Sequence, residues 1–220
     1  MRASDVGGRL DSIAGRSAKA DLWYARVGDH ASQVEQLRDG CLSNEERKRL
    51  SGYRSKEAAE RYVVTRSLVR LVLSEQFGVD PRSLALGRTE MGKPTVRGLH
   101  FNLSHSGELI LLAICGDRDV GVDVERRRHV ERVAALEARW LTGAERSSLQ
   151  AARDSGADSS DAFLRIWSLK EARLKALGIG ISGATSDVAQ DVEAIPLDAT
   201  LAQIPLGQDR EGYVGALAFG

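Results

Sequence analysis

The chain has 220 residues, with 31 lysines and arginines against 31 aspartates and glutamates, 42% hydrophobic and 28% charged residues, and two cysteines. That length holds one large domain or two small ones with a proper core, and the composition excludes a disordered chain, a collagen-like repeat and a disulfide scaffold. Zero net charge speaks against a surface that grips polyanions as a whole, so no nucleic-acid partner is expected; yet residues 1–118 carry 19 basic and 15 acidic groups while residues 119–220 carry 12 and 16, one half suited to phosphate and the other to a cation.

The first twenty residues lack the apolar run of a signal peptide, and no stretch reaches the roughly 18 apolar residues of a membrane span. They read as a flexible tail (1–20) on a cytoplasmic protein with no membrane partner, followed by an N-terminal half (21–118) and a C-terminal half (119–220). Cys41 and Cys115 lie in no CxxC or CxxH context and read as free thiols in a reducing compartment. Asp21 to Val27 alternates as a first strand. Ser43 and Glu46 have capping-box spacing, so a helix starts there. Ser55 to Phe77 keeps helical periodicity and stops at Gly78. Arg54, Arg61, Arg66 and Arg70 lie on or near one face of that helix, either as a solvated face balanced by Glu57 and Glu60 or as a site for an anion.

Pro81 to Pro94 reads as turns and a short strand. Leu109 to Ile114 is an apolar run of buried-strand length, entered through a polar turn at Ser104 to Gly107. Val120 to Glu125 reopens as a strand. Val130 to Trp140 and Thr142 to Ala152 are helical, the second with a capping box from Thr142 to Glu145. Arg153 to Asp161 reads as a polar loop, Ala162 to Leu177 as a helix stopped by Gly178, and the remainder as strand and turn. A helix ending in glycine, irregular chain and a last apolar strand thus occur once in each half, which implies two related halves of similar size.

Three features could carry chemistry. Asp123 and Glu125 share one face of a strand while Val122 and Val124 point to the core. Paired like charges need a neutraliser, either a hard cation such as Mg²⁺ or the basic run Arg126 to Arg128. Glu171 and Lys175 are one turn apart on a helix, with Trp167 a turn before, which is also the spacing of an ordinary surface ion pair. Ser104 and His105 sit at the mouth of the buried strand, without the motif of a serine hydrolase.

GKP (92–94), FNLSHSG (101–107), GVDVE (121–125) and WSLKEARLKALG (167–178), in that order, resemble the successive motifs of Sfp-type 4′-phosphopantetheinyl transferases. The resemblance runs from Ser43 to Gly180. It implies an α+β fold of two similar halves related by a pseudo-two-fold, each a small sheet against a long helix, with the active site at their interface. It implies transfer of the 4′-phosphopantetheine arm of coenzyme A to a serine of an acyl or peptidyl carrier protein, with release of 3′,5′-ADP. Mg²⁺, for which Mn²⁺ can substitute, would be held by Asp123, Glu125 and Glu171. Lys175 would neutralise the pyrophosphate, His105 would donate to a phosphate oxygen with Ser104 as a further donor, and Lys93 would lie near the nucleotide. Arg49 and Arg61 would hold the 3′-phosphate. Glu46 stands where members often carry a second basic residue, so Arg47 or Lys48 substitutes or the grip is looser. The general base is Glu171, a metal-held water or Lys170. The segment Val130 to Leu149, with Arg132, Arg139, Trp140 and Arg146, is either a docking patch for an acidic carrier or an ordinary surface helix. With both halves in one chain, a functional monomer is expected. The rival readings are a coenzyme A or nucleotide binding module without catalysis and a Mg²⁺-dependent phosphohydrolase.

Overall fold

The computed structural model describes residues 1–16, 18–180, 191–205, 207 and 209–220. In chain order the elements are β1 (Gly8–Arg9), β2 (Ile13–Ala14), β3 (Lys19–Arg26), α1 (Val34–Cys41), α2 (Asn44–Leu50), α3 (Lys56–Phe77), β4 (Gly87–Arg88), β5 (Pro94–Thr95), β6 (His100–Ser106), β7 (Leu109–Cys115), β8 (Val120–Arg126), α4 (Val133–Trp140), α5 (Gly143–Asp154), α6 (Ser159–Leu177), β9 (Glu193–Pro196), α7 (Asp198–Leu201) and β10 (Tyr213–Phe219).

The two fully buried strands decide the layering. In β7, Ile110, Leu112 and Ile114 pack on Leu68 and Val72 of α3. Leu109, Leu111 and Ala113 point the other way, onto Val122, Val124 and Leu217. A strand covered on both faces has no polar positions to alternate with, which is why it reads as an unbroken apolar run. In β10, Ala216 and Ala218 meet Ala172 and Ala176 of α6, and Leu217 and Phe219 face the core between the sheets. The order of layers is therefore α3, first sheet, second sheet, α6.

The two halves share a topology. β3, β7 and β6 pair in that order, and β8, β10 and β9 do the same, all antiparallel. Each half opens with a strand, continues through helices, and places its last strand between the other two. The long helices α3 and α6 both stop at a left-handed glycine, Gly78 and Gly178, where a side chain would be strained. Ser43 and Thr142 form complete capping boxes with Glu46 and Glu145. Arg70 and Lys170 each lie eight positions before those glycines, and each binds the capping-box glutamate of its own half at 2.5 Å. The internal echo thus extends to a buried ion pair.

Four expectations need correction. The first twenty residues contribute structure: Ala3, Val6 and Leu10 are buried, and β1 and β2 both pair with β3. Their short edge strands carry too few apolar residues to announce themselves. Ser104 and His105 are not in a turn; β6 runs to Ser106, and the turn is Gly107–Glu108, with Gly107 at φ 56°. The polar loop shrinks to four residues, because α5 continues to Asp154 and Asp158 caps α6 by accepting from the Asp161 N–H. Helix α4 starts at Val133, after Arg132 takes a left-handed conformation. The strand and turn expected after Leu177 lie partly outside the described residues. Among the described residues no helix is long and apolar enough to cross a membrane.

Candidate active site

Strand β8 alternates as its sequence requires: Val120, Val122 and Val124 enter the core between the sheets, while Gly121, Asp123 and Glu125 are on the opposite face, toward α6. Gly121 brings the helix close. A Cβ there would lie 2.0 Å from the Ala172 carbonyl oxygen and 2.4 Å from the Ala176 nitrogen. This approach puts Lys175 of α6 on Asp123 of β8, with Nζ donating to Asp123 Oδ1 at 2.6 Å, and to Ser104 Oγ and the Val122 carbonyl, both at 3.2 Å. Those three acceptors match the three protons of an ammonium.

Ser104 reaches this cluster from the first half, donating its hydroxyl to Asp123 Oδ1 at 2.9 Å. In this arrangement its single proton is directed at the carboxylate, and the hydroxyl orients Asp123. Burial pushes the Asp123 carboxyl above the ordinary range, against the pull of Lys175. Its Oδ2 is buried with no hydrogen-bond partner among the described residues.

Glu125 is half-buried and accepts at Oε2 from Ser106 Oγ at 3.0 Å and from Arg128 at 2.8 Å. Glu171 lies on α6 one turn before Lys175. Burial raises its carboxyl pKa, Lys175 opposes that, and the charges of Asp123 and Glu125 raise it again. Three carboxylates and one ammonium therefore share one electrostatic neighbourhood. The Lys170 charge also acts on Glu171, but its buried ammonium is bound to Glu145.

His105, next to Ser104 on β6, projects the other way into a cleft of about 560 Å³ whose wall also includes Arg49, Tyr53, Arg61, Tyr62, Arg66 and Arg88. That volume suits a small-molecule ligand. Although the side chain reaches solvent, desolvation by the surrounding protein and then the charge of Arg61 push the imidazole pKa below its ordinary value. Arg66 and Arg70 are not a solvated face. Both guanidiniums bind the buried Glu46 carboxylate, which also accepts from the Ser43 N–H, and its pKa is held down by Arg66, the Ser43 N–H and Arg70 against the cost of burial. Lys93 lies apart from Arg49 and Arg61. Its ammonium spans Asp119 at 2.9 Å and the Ala176 carbonyl at 3.3 Å, on the side of the site that Glu171 and Lys175 also line.

Among the described residues, no group of three or more His, Cys, Asp and Glu side chains is placed so as to hold a metal ion by itself. The donor set nevertheless fits a hard cation. Its carboxylates are oxygen donors, as a hard cation requires, and Asp123 Oδ2 is buried without a partner among the described residues.

Sequence reasoning missed Ser106, Asn102 and Arg88. Asn102, Ser104 and Ser106 recur at the period of a strand, which was the available signal. Nothing local marks Arg88, which comes to the cleft on the β4–β5 hairpin.

The protein is an α+β fold of two like halves, with an acidic and lysine-bearing site at their junction beside an arginine-lined cleft. Residues 119–212 match the family model of the 4′-phosphopantetheinyl transferase superfamily, and residues 31–116 match that of the 4′-phosphopantetheinyl transferase N-terminal region. The chain is 35% identical over 181 residues to a phosphopantetheinyl transferase of Thraustochytrium, covering 74% of this chain and 62% of the relative. It is 31% identical over 172 residues to the 4′-phosphopantetheinyl transferase HetI of Nostoc, covering 76% and 71%. It is 33% identical over 144 residues to the 4′-phosphopantetheinyl transferase Sfp of Bacillus subtilis, covering 64% and 62%. The matches to the Thraustochytrium and Bacillus relatives thus span 62% of those proteins' length. The chain belongs to the 4′-phosphopantetheinyl transferase superfamily.

Proposed function

We propose that this protein transfers the 4′-phosphopantetheine arm of coenzyme A to a serine hydroxyl of an acyl or peptidyl carrier protein. The observation that carries the proposal is the cluster of Asp123, Glu125, Glu171 and Lys175 at the junction of the halves, opening beside the cleft of Arg49, Arg61 and His105. In the reaction the serine oxygen bonds to the pantetheine-bearing phosphorus of the pyrophosphate. The bond from that phosphorus to the bridging oxygen breaks, 3′,5′-ADP leaves, and the serine proton goes to a base.

Asp123, Glu125 and Glu171 would hold Mg²⁺, which when bound offsets the negative charge on the phosphate oxygens. The remaining work falls to the chain itself. Arg49 and Arg61 bind the 3′-phosphate end in the cleft, where a planar guanidinium matches phosphate geometry. His105 donates from a ring nitrogen to a phosphate oxygen. Lys175 holds positive charge beside the reacting phosphate while restraining Asp123. Lys93 ties the β4–β5 hairpin to the C-terminal turn of α6 and so shapes the nucleotide end of the site. Glu171 is our candidate for the proton by its position on α6 one turn before Lys175, although as a ligand of Mg²⁺ it would be a weaker base than a free carboxylate.

The carrier would dock on α4 and α5. Arg132, Arg139 and Arg146 are exposed there, and the Arg139 guanidinium stacks 4.6 Å from the ring of Trp140, which packs toward Leu174 of the catalytic helix. One chain supplies both halves of the site and acts as a monomer. We place it in the cytoplasm, in keeping with its two free, buried cysteines.

The test is to mix the protein with coenzyme A, Mg²⁺ and a panel of apo carrier proteins, then weigh each carrier intact. A carrier that gains one phosphopantetheine group, and no gain with EDTA, is the expected result. Coenzyme A cleaved with every carrier unmodified would make the protein a hydrolase, and coenzyme A bound but intact would make it a binding module.

A further inference from the structure

We propose that Ser106 is a positioning residue for Glu125, and that with Ser104 and Asn102 it forms a side-chain ladder setting both carboxylates of β8. The inference rests on the reading of Asp123 and Glu125 as cation ligands.

Strands β6 and β8 are edge strands of two different sheets. The outward N–H groups of β8 therefore lack a main-chain partner, and buried N–H groups require one. Side chains of β6 supply it at every second residue. The N–H of Val122 donates to Asn102 Oδ1 at 3.0 Å, that of Val124 to Ser104 Oγ at 3.4 Å, and that of Arg126 to Ser106 Oγ at 3.0 Å.

A hydroxyl that accepts from the backbone still has one proton to give. Ser104 gives it to Asp123 and Ser106 to Glu125. Each serine thus holds a main-chain N–H of β8 and the carboxylate of the residue just before it. The same relation is repeated two residues along, matching the spacing of the carboxylates. A slip of β8 along β6 would break all five bonds together.

Ser106 isolates this effect, since Ser104 also touches Lys175. Among the described residues the other hydrogen bond to Glu125 comes from Arg128, which is 45% exposed and so a weak restraint. Removing a hydrogen bond that orients a metal-binding carboxylate commonly costs about 10–100-fold in metal affinity.

The experiment titrates Mn²⁺ into the protein alone, without coenzyme A or carrier, and follows free Mn²⁺ by electron paramagnetic resonance. Ser106→Ala is expected to weaken Mn²⁺ binding by about 10–100-fold, and Ser106→Thr, which keeps the hydroxyl on a residue suited to strands, to restore it. Thermal melting of both variants, checked in parallel, should stay close to that of the unaltered protein, since the Arg126 N–H can bond to water. Unchanged Mn²⁺ affinity in Ser106→Ala, beside binding by the unaltered protein, would overturn the inference and leave the cation site standing. An unaltered protein that binds no Mn²⁺ would overturn the cation-ligand reading and this inference with it.

Discussion

Glu46 is the most consequential buried charge of the first half. Its side chain is 10% exposed and accepts from Arg66, from Arg70 at 2.5 Å and from the Ser43 N–H at 3.0 Å. Glu46→Gln keeps the shape and removes the charge, which leaves two guanidiniums, 12% and 4% exposed, without their counter-ion. Breaking a buried pair from one side costs about 3–5 kcal/mol. For a chain of this size that lowers Tm by about 6–20 °C.

The pH dependence has a definite sign. The Glu46 pKa is lower in the folded protein than in the unfolded one, so its contribution is complete above the unfolded value of about 4.3 and is lost as pH falls through the folded value. Glu46→Gln should therefore flatten the acid side of the stability curve. Urea unfolding from pH 7 down to pH 3 measures both effects, with Lys56→Ala as the control. Lys56 is 83% exposed and 3.6 Å from Glu60, and its loss should cost under about 0.5 kcal/mol. A Glu46→Gln variant no less stable than that control, or with an unchanged acid limb, would refute the reasoning.

Gly121→Ala should drive a methyl group into the Ala172 carbonyl and lift α6 from β8, at a cost of about 1–3 kcal/mol by thermal melting; an unchanged Tm would show that the helix does not ride on this glycine. Arg61→Met should raise the His105 pKa part of the way toward that of an ordinary histidine, since desolvation remains, and an NMR titration of the imidazole that shows no change would separate His105 from the arginine cleft. Lys170→Met leaves Glu145 buried without its partner, so it should lower Tm by roughly as much as Glu46→Gln; if stability is unaffected and transfer is lost, Lys170 acts in the reaction instead.

Local features were legible in the sequence because their causes are local. Both capping boxes, both glycine stops, the apolar run of β7 and the shared face of Asp123 and Glu125 follow from spacings of a few residues. The contacts that complete the site span longer distances. Ser104 and Ser106 read as a turn because polar residues in series resemble one, yet they and Asn102 accept from backbone groups of β8, some 20 residues on. Glu46 read as a departure from the family pattern, and it is the anchor for Arg66 and Arg70 of another helix. Lys170, beside Glu171 in sequence, points away from it because successive helical residues face different directions. The division of charge between the halves was visible from composition. The meeting of Ser104 from the basic half with Asp123 and Lys175 from the acidic half required the fold.

Transfer at the carboxylate cluster is tested by comparing the unaltered protein with Asp123→Asn and Glu171→Gln in the intact-mass transfer assay, with circular dichroism confirming that all three are folded. The unaltered protein should add one phosphopantetheine group to the carrier serine, and both variants should lose at least about 100-fold in rate, the scale of a lost transition-state charge contact. Folded variants that modify the carrier at close to the unaltered rate would contradict transfer at this cluster.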